Sequence, residues 1–125
     1  MPSADTLERF IARVESNAHV EAIEEFYTDD ATMRENLGKP RVGRATLMAQ
    51  ERATLSRVRS VQSRCVRPVL VNGDTVVVRW IFRFEGNDGR VRELEELAWQ
   101  RWQGERIAEE QFFYDPAQFA WRDPA

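Results

Sequence analysis

The 125-residue chain is poor in the side chains that most often do chemistry: it has one cysteine, Cys65, one histidine, His19, and one lysine, Lys39. A lone cysteine has no partner for an internal disulfide, so a reducing, cytoplasmic setting is expected. One histidine and one cysteine also exclude a histidine-based metal centre and a Cys–His nucleophile pair. No apolar run approaches the roughly 18 residues that a membrane helix needs. The opening Met-Pro-Ser-Ala-Asp has neither the basic nor the apolar region of a secretory signal, so no membrane partner is expected. There is no Gly-x-Gly-x-x-Gly and no phosphate-binding loop, so no nucleotide cofactor is expected, and none of another kind. A basic excess is missing too. The net charge is −3, which gives no field to draw the chain to nucleic acid. Arg52, Arg57, Arg59, Arg64 and Arg67 make a local basic stretch, but no aromatics interleave it for base stacking, and it reads as a solvated helix end and strand face.

What the chain does have is bulk. Hydrophobic residues make up 42% and charged residues 31%, a soluble globular composition. The length suits a single domain over residues 1–125, with 116–125 as a tail. Three of the four tryptophans lie between Asp74 and Asp115. In that stretch three strand-like runs are separated by Gly86-Asn-Asp-Gly89 and Gln103-Gly-Glu105, the pattern of an antiparallel meander. Ser60 to Val71 reads as a strand ahead of it. Pro68 removes a ladder donor there and marks an edge or a bulge, and Asn72-Gly73 is a hairpin turn signal.

The first half is helical. Ser3 or Asp5 can cap a helix on which Leu7, Phe10, Ile11 and Val14 share one face. A second helix carries Val20, Ile23, Phe26 and Tyr27, and Thr28-Asp29-Asp30 ends it as a turn. Ala31 to Asn36 is a short strand, and Leu37 to Gly43 a loop. A third helix runs from about Arg44 to Val58. Its face of Leu47, Glu51, Leu55 and Val58 is narrow, which predicts a helix lying on the surface over one side of the sheet. The tail, with Phe119 and Trp121, is too apolar to hang free and is expected to fold back, with a lid as one use. The expectation is an α+β fold with the order α-α-β-α-β-β-β-β.

Phe26-Tyr-Thr-Asp-Asp-Ala-Thr32, Gly38, Gly43-Arg44 ahead of the third helix, and the ending Gln103 to Pro116 together resemble the nuclear transport factor 2-like superfamily. The likeness covers residues 5 to 116 and is nearest its SnoaL-like polyketide cyclase and ketosteroid isomerase branch. It implies a strongly bent, cone-shaped antiparallel sheet with three helices on one side, a pocket inside the cone, and a homodimer through the outer sheet face. The ketosteroid isomerases keep a carboxylate base at the end of the first short strand, a position that falls on Glu35. Their two oxyanion donors, a tyrosine and a protonated aspartic acid, fall on Phe10 and Ala98. Neither side chain can donate a hydrogen bond, so the isomerase mechanism in its usual form is not expected.

Strand alternation supplies the rest of the candidate site. Val78, Trp80, Phe82 and Phe84 share one face of their strand and are read as inward. On the next strand Leu94, Glu96, Ala98, Gln100 and Trp102 share a face, which the resemblance implies is inward, and Glu110, Phe112 and Tyr114 follow on the last. A slip of one residue would reverse each set. Phe10, Tyr27 and Met33 would line the pocket from the first half. Glu110 either has a partner such as an arginine or is a second acid/base group, since a buried carboxylate must be paired or working. Asp115 either caps the turn before Pro116 or is an acid/base group. His19 is expected to cap its helix or face solvent. Two readings remain open. One is a protein that binds a small apolar molecule and performs isomerisation, cyclisation or hydrolysis with its own carboxylates. The other is a non-catalytic ligand-binding or interaction module.

Overall fold

Ser3 starts the first helix: its Oγ accepts from the Thr6 amide at 3.0 Å, satisfying one of the free N–H groups at a helix start. The computed structural model describes residues 1–124. In order these form α1 (Ala4–Glu15), α2 (His19–Phe26), β1 (Tyr27–Glu35), β2 (Arg41–Val42), α3 (Arg44–Ser56), β3 (Val58–Asn72), β4 (Thr75–Gly86), β5 (Val91–Gln103) and β6 (Arg106–Phe113), followed by a 3-10 turn at Pro116–Phe119. The fold is α+β, as expected.

The strands make one unclosed six-stranded sheet in the order β2-β1-β6-β5-β4-β3. The meander β3 to β6 is antiparallel throughout. β1 then joins β6 in parallel, with Met33 opposite Glu110 and Glu35 opposite Phe112, so the sheet as a whole is mixed. This pairing explains where the sequence reading of residues 27–30 departs from the structure. Thr28-Asp29-Asp30 has turn chemistry, yet it lies within β1. Burial of Ala31 and Met33 beside β6 fixes the strand and overrides local preference. β2 similarly occupies part of the expected 37–43 loop. Pro68 sits inside a register shift of the edge strand β3, between Val66 and Leu70, where a missing donor costs least. The hairpin turn falls at Gly73-Asp74, one residue later than expected, because Asn72 still pairs with Thr75. Gly73 takes the positive φ of 61° that this turn needs.

Register now assigns the faces. Val78 lies opposite Ala98 and Ala98 opposite Phe112, while Trp80 lies opposite Glu96 and Gln100 opposite Glu110. Val76, Val78, Ala98 and Gln100 are completely shielded from solvent. The inward set is therefore the one expected, and Leu97 and Phe113 stand exposed on the other face. Leu7, Phe10, Ile11 and Val14 of α1 and Ile23 and Phe26 of α2 close onto the inward face as one core. Phe10 is the hub. It meets Phe26, Tyr27, Trp80 and Trp102 edge-on, with centroids 5.5 to 6.4 Å apart. Such pairs each add about 0.5–1.5 kcal/mol beyond area burial. α3 buries only Leu47, the surface helix its narrow stripe predicts. After Asp115 the tail turns back, and Arg122 bridges to Val91 at the start of β5. Ala125, the last residue of the tail, lies outside the described residues.

Candidate functional site

Between the inward sheet face and the three helices lies a cavity of about 160 Å³. Strand alternation gives it an aromatic wall: Trp80, Phe82 and Phe84 from β4, with Phe112 from β6. Trp80 and Phe82 stack at 5.6 Å with their planes 20° apart. Phe10, Tyr27 and Met33 complete the apolar lining as expected, and Phe119 reaches in from the tail. Val78, Ala98, Gln100 and Tyr114 are not on the cavity wall. Val78 and Ala98 are packed solid beneath it, where the pleat carries them under larger neighbours.

Four carboxyl groups line this apolar space: Glu35, Glu51, Glu96 and Glu110. Their surroundings differ. Glu110 is almost completely buried and is held at both oxygens. Tyr27 donates its O–H to Oε1, and Gln100 donates Nε2–H to Oε2 at 2.6 Å. Trp102 Nε1–H in turn donates to Gln100 Oε1 at 3.0 Å. The direction of this chain is fixed from its far end. The indole can only donate, so Gln100 must present its oxygen to Trp102 and its amide N–H to Glu110. Burial raises the Glu110 carboxyl to about 7, against the lowering effect of the two donors. The Tyr27 phenol is pushed well up by its own burial and then by the charge of Glu110. Of the two expectations for Glu110, an arginine partner is not what is found. Its partners are a phenol and an amide.

Glu96 is different again. Burial comes first and the charges of Glu110, Glu35 and Glu51 second in raising its carboxyl to about 8, so at neutral pH it carries its proton. It points into the cavity from β5, two residues before Ala98. The position where an oxyanion donor was expected to be missing thus has an acid one strand-repeat away. Glu35 ends β1 at the rim of the cavity and is exposed. The loss of hydration expected of it falls on Glu96 and Glu110 instead. Tyr114, half-buried against Phe119 at 5.3 Å, is raised to about 12 by burial first and by the charges of Glu35 and Glu96 after it.

Asp115 belongs elsewhere. It is exposed, outside the cavity, and its carboxylate accepts from the Ala117 amide at 2.9 Å, which is the helix-capping role. The expectation for His19 is corrected more sharply. Instead of capping α2 or facing water, its side chain is 10% exposed. It lines the cavity against Phe82, with centroids 5.2 Å apart. Its Nδ1 lies 3.2 Å from Glu51 Oε1 and its Nε2 2.7 Å from Ser63 Oγ. Glu51 shares the Leu47 face of α3, and that placement was the available signal: a carboxylate on the face of α3 that carries its buried residue. Two arginines, Arg41 and Arg92, also reach the cavity. Arg92 lies over the rings of Phe84, Phe119 and Trp121, 4.3 to 5.3 Å from their centroids, and so ties the tail to β5.

An unclosed cone-like sheet with three helices over a carboxyl-bearing cavity defines a nuclear transport factor 2-like protein. Residues 7–110 match the SnoaL-like domain family model, and the chain belongs to that family. Among solved structures, a protein described as a SnoaL-like polyketide cyclase from Mesorhizobium loti superposes with a TM-score of 0.75 at 20% identity, covering 91% of this chain and 100% of that one. IdmH, described as a polyketide cyclase from Streptomyces antibioticus, gives 0.74 at 20% identity over 92% and 93% of the two chains. A ketosteroid isomerase-like protein from Catenulispora acidiphila, solved with trimethylamine, gives 0.76 at 16% identity over 93% and 89%. At these identities the likeness is one of fold. No curated protein matches the chain in sequence at a significant level.

Proposed function

We propose that the cavity binds a small, mostly apolar molecule and that the chain's own carboxyl groups move a proton on it. Such a step is common to isomerisation, cyclisation and hydrolysis. One observation carries the reading. Glu96, protonated at neutral pH, faces an aromatic cavity in which Glu110 is held by Tyr27 and Gln100. Keeping ionisable groups in an apolar space costs stability unless they are used. A protonated Glu96 can donate to an oxygen on which charge develops, while an ionised carboxylate accepts the proton. The cyclase descriptions of the structural relatives are compatible with this reading.

The test is a generic one, because the natural substrate is not needed. 5-Nitrobenzisoxazole is small, flat and aromatic, and a carboxylate base opens it by taking its C–H proton as the N–O bond breaks and a phenolate leaves. The protein should accelerate this opening with saturation. Removing the donor by Glu96→Leu should reduce kcat, and narrowing the cavity by Ala22→Trp should raise KM or abolish binding. Saturable binding with no acceleration over acetate would favour the non-catalytic module. That alternative draws its own support from Phe10, which fills with a ring the place where an oxyanion donor would stand.

A further inference from the structure

The proton-transfer reading leaves one assembly unused: Ser63 of β3, His19 of α2 and Glu51 of α3, joined at 2.7 and 3.2 Å across three elements. One proton position follows from chemistry. Glu51 Oε1 can only accept in its ionised form, so Nδ1 carries the hydrogen. Nε2 then either accepts from the Ser63 hydroxyl or donates to it, according to the tautomer and charge of the ring. The order of groups is that of a hydrolytic relay, with a hydroxyl at one end and a carboxylate at the other. The cavity decides which end works. Ser63 is not on its wall, whereas His19 and Glu51 both are.

We propose that Glu51 is the general base of the cavity, with His19 and Ser63 as positioning residues that aim its carboxylate. This rests on the proton-transfer reading above and names the group that accepts the proton. Elimination among the four cavity carboxyls supports it. Glu110 has both oxygens engaged by Tyr27 and Gln100. Glu96 makes no side-chain hydrogen bond among the described residues, and its raised carboxyl faces the cavity as an acid. Glu35 lies exposed at the rim, where water competes for it. Glu51 uses one oxygen on His19 and keeps the other free, with its side chain 27% exposed. Its negative charge is among the causes that keep protons on Tyr27, Glu96 and Glu110. The base is thus singled out by geometry: it is on the cavity wall, is oriented by His19, and has one oxygen engaged among the described residues. The step balances within the substrate: Glu51 takes the C–H proton, the bond pair moves into the substrate, and the developing oxyanion is met by the Glu96 proton. Glu51 then gives its proton to a carbon of the product or to water, and Glu96 recovers one from the product oxygen or from water, so both groups end as they began.

The experiment is the opening of 5-nitrobenzisoxazole by the full-length chain and its variants. Glu51→Gln should lower kcat by about 100-fold, the scale of one general base. Ser63→Ala should lower kcat by roughly 10-fold at unchanged KM, as a misaimed base does, and Ser63→Thr, which keeps the hydroxyl, should restore it. A merely structural Ser63 would instead change thermal stability and leave kcat alone. If the wild type is active and Glu51→Gln keeps its rate, the assignment of Glu51 falls while the proton-transfer reading stands. Should Glu51→Gln fail to fold, the Ser63→Ala and Ser63→Thr pair decides by the same kcat criterion. A wild type no faster than acetate overturns both.

Discussion

Replacing Glu110 by glutamine should make the protein more stable at alkaline pH, and by an amount the structure sets. Glutamine is close to isosteric with the protonated acid. Its oxygen can keep the bond from Gln100, and its N–H2 can face Tyr27, whose oxygen can accept. The variant therefore keeps the donor chain from Trp102 while removing a group that must ionise. In the wild type the folded chain binds the Glu110 proton more tightly than the unfolded chain does. Its contribution is complete below the ordinary value of 4.5 and is lost as pH rises through about 7. The interval between those two values corresponds to about 3 kcal/mol at 1.36 kcal/mol per pH unit. Urea unfolding of both proteins from pH 5 to pH 9 measures it. The two curves should lie close at pH 5, separate up to about pH 7 and run parallel above it. At pH 9 the variant should have a midpoint higher by about 1 M or more, with slope m unchanged, given typical urea m values of roughly 1–3 kcal/mol/M. A gap that stays the same at every pH, or a wild type more stable at pH 9, would refute the reasoning.

Other consequences can be checked alongside. Asp115→Ala should cost about 1 kcal/mol by chemical denaturation through the lost cap and leave 5-nitrobenzisoxazole turnover untouched, since Asp115 is outside the cavity; a large loss of turnover would return it to the site. Trp80→Ala should destabilise by about 3–5 kcal/mol and weaken binding of an apolar fluorophore. Arg67→Ala, which opens an exposed pair with Glu8, should change stability by no more than about 1 kcal/mol, and a larger change would give that pair a role beyond the surface. For the homodimer expected through the outer sheet face, Leu97→Lys with Phe113→Lys should convert a dimer to a monomer in sedimentation; a monomeric wild type would end that expectation.

The meander was readable because its signals are local. Period-two alternation grouped Trp80 with Phe82 and Phe84 and Glu96 with Gln100, but which face of β5 turns inward came from the family resemblance, and the pairing of β5 with β4 and β6 decides it. The parallel pairing of β1 with β6 was not readable, because it joins residues some eighty apart and draws Asp29 and Asp30, turn formers by composition, into a strand. The site was legible to the same extent. Glu110 could be found because an inward carboxylate on an apolar strand face is an anomaly. His19 could not, since its environment is made by Glu51 and Ser63 from distant elements, and nothing in its own neighbourhood announces them. Glu35 was placed at the cavity correctly, but depth is tertiary information. The desolvation expected of it belongs to Glu110 on the neighbouring strand and Glu96 on the strand after that. Asp115 had two chemically sound uses, and the amide of Ala117 decides for the cap.

The central claim is that the cavity is apolar enough to lift the titration of its carboxylic acids into the neutral range. Carbon-13 NMR of the glutamate side-chain carboxyls, titrated from pH 3 to pH 10, tests it directly, with Glu96→Gln and Glu110→Gln assigning the signals. The account predicts two glutamates titrating far above the rest, near 8 for Glu96 and near 7 for Glu110, both moving when an apolar ligand fills the cavity. All glutamates titrating together near 4.5 would contradict it.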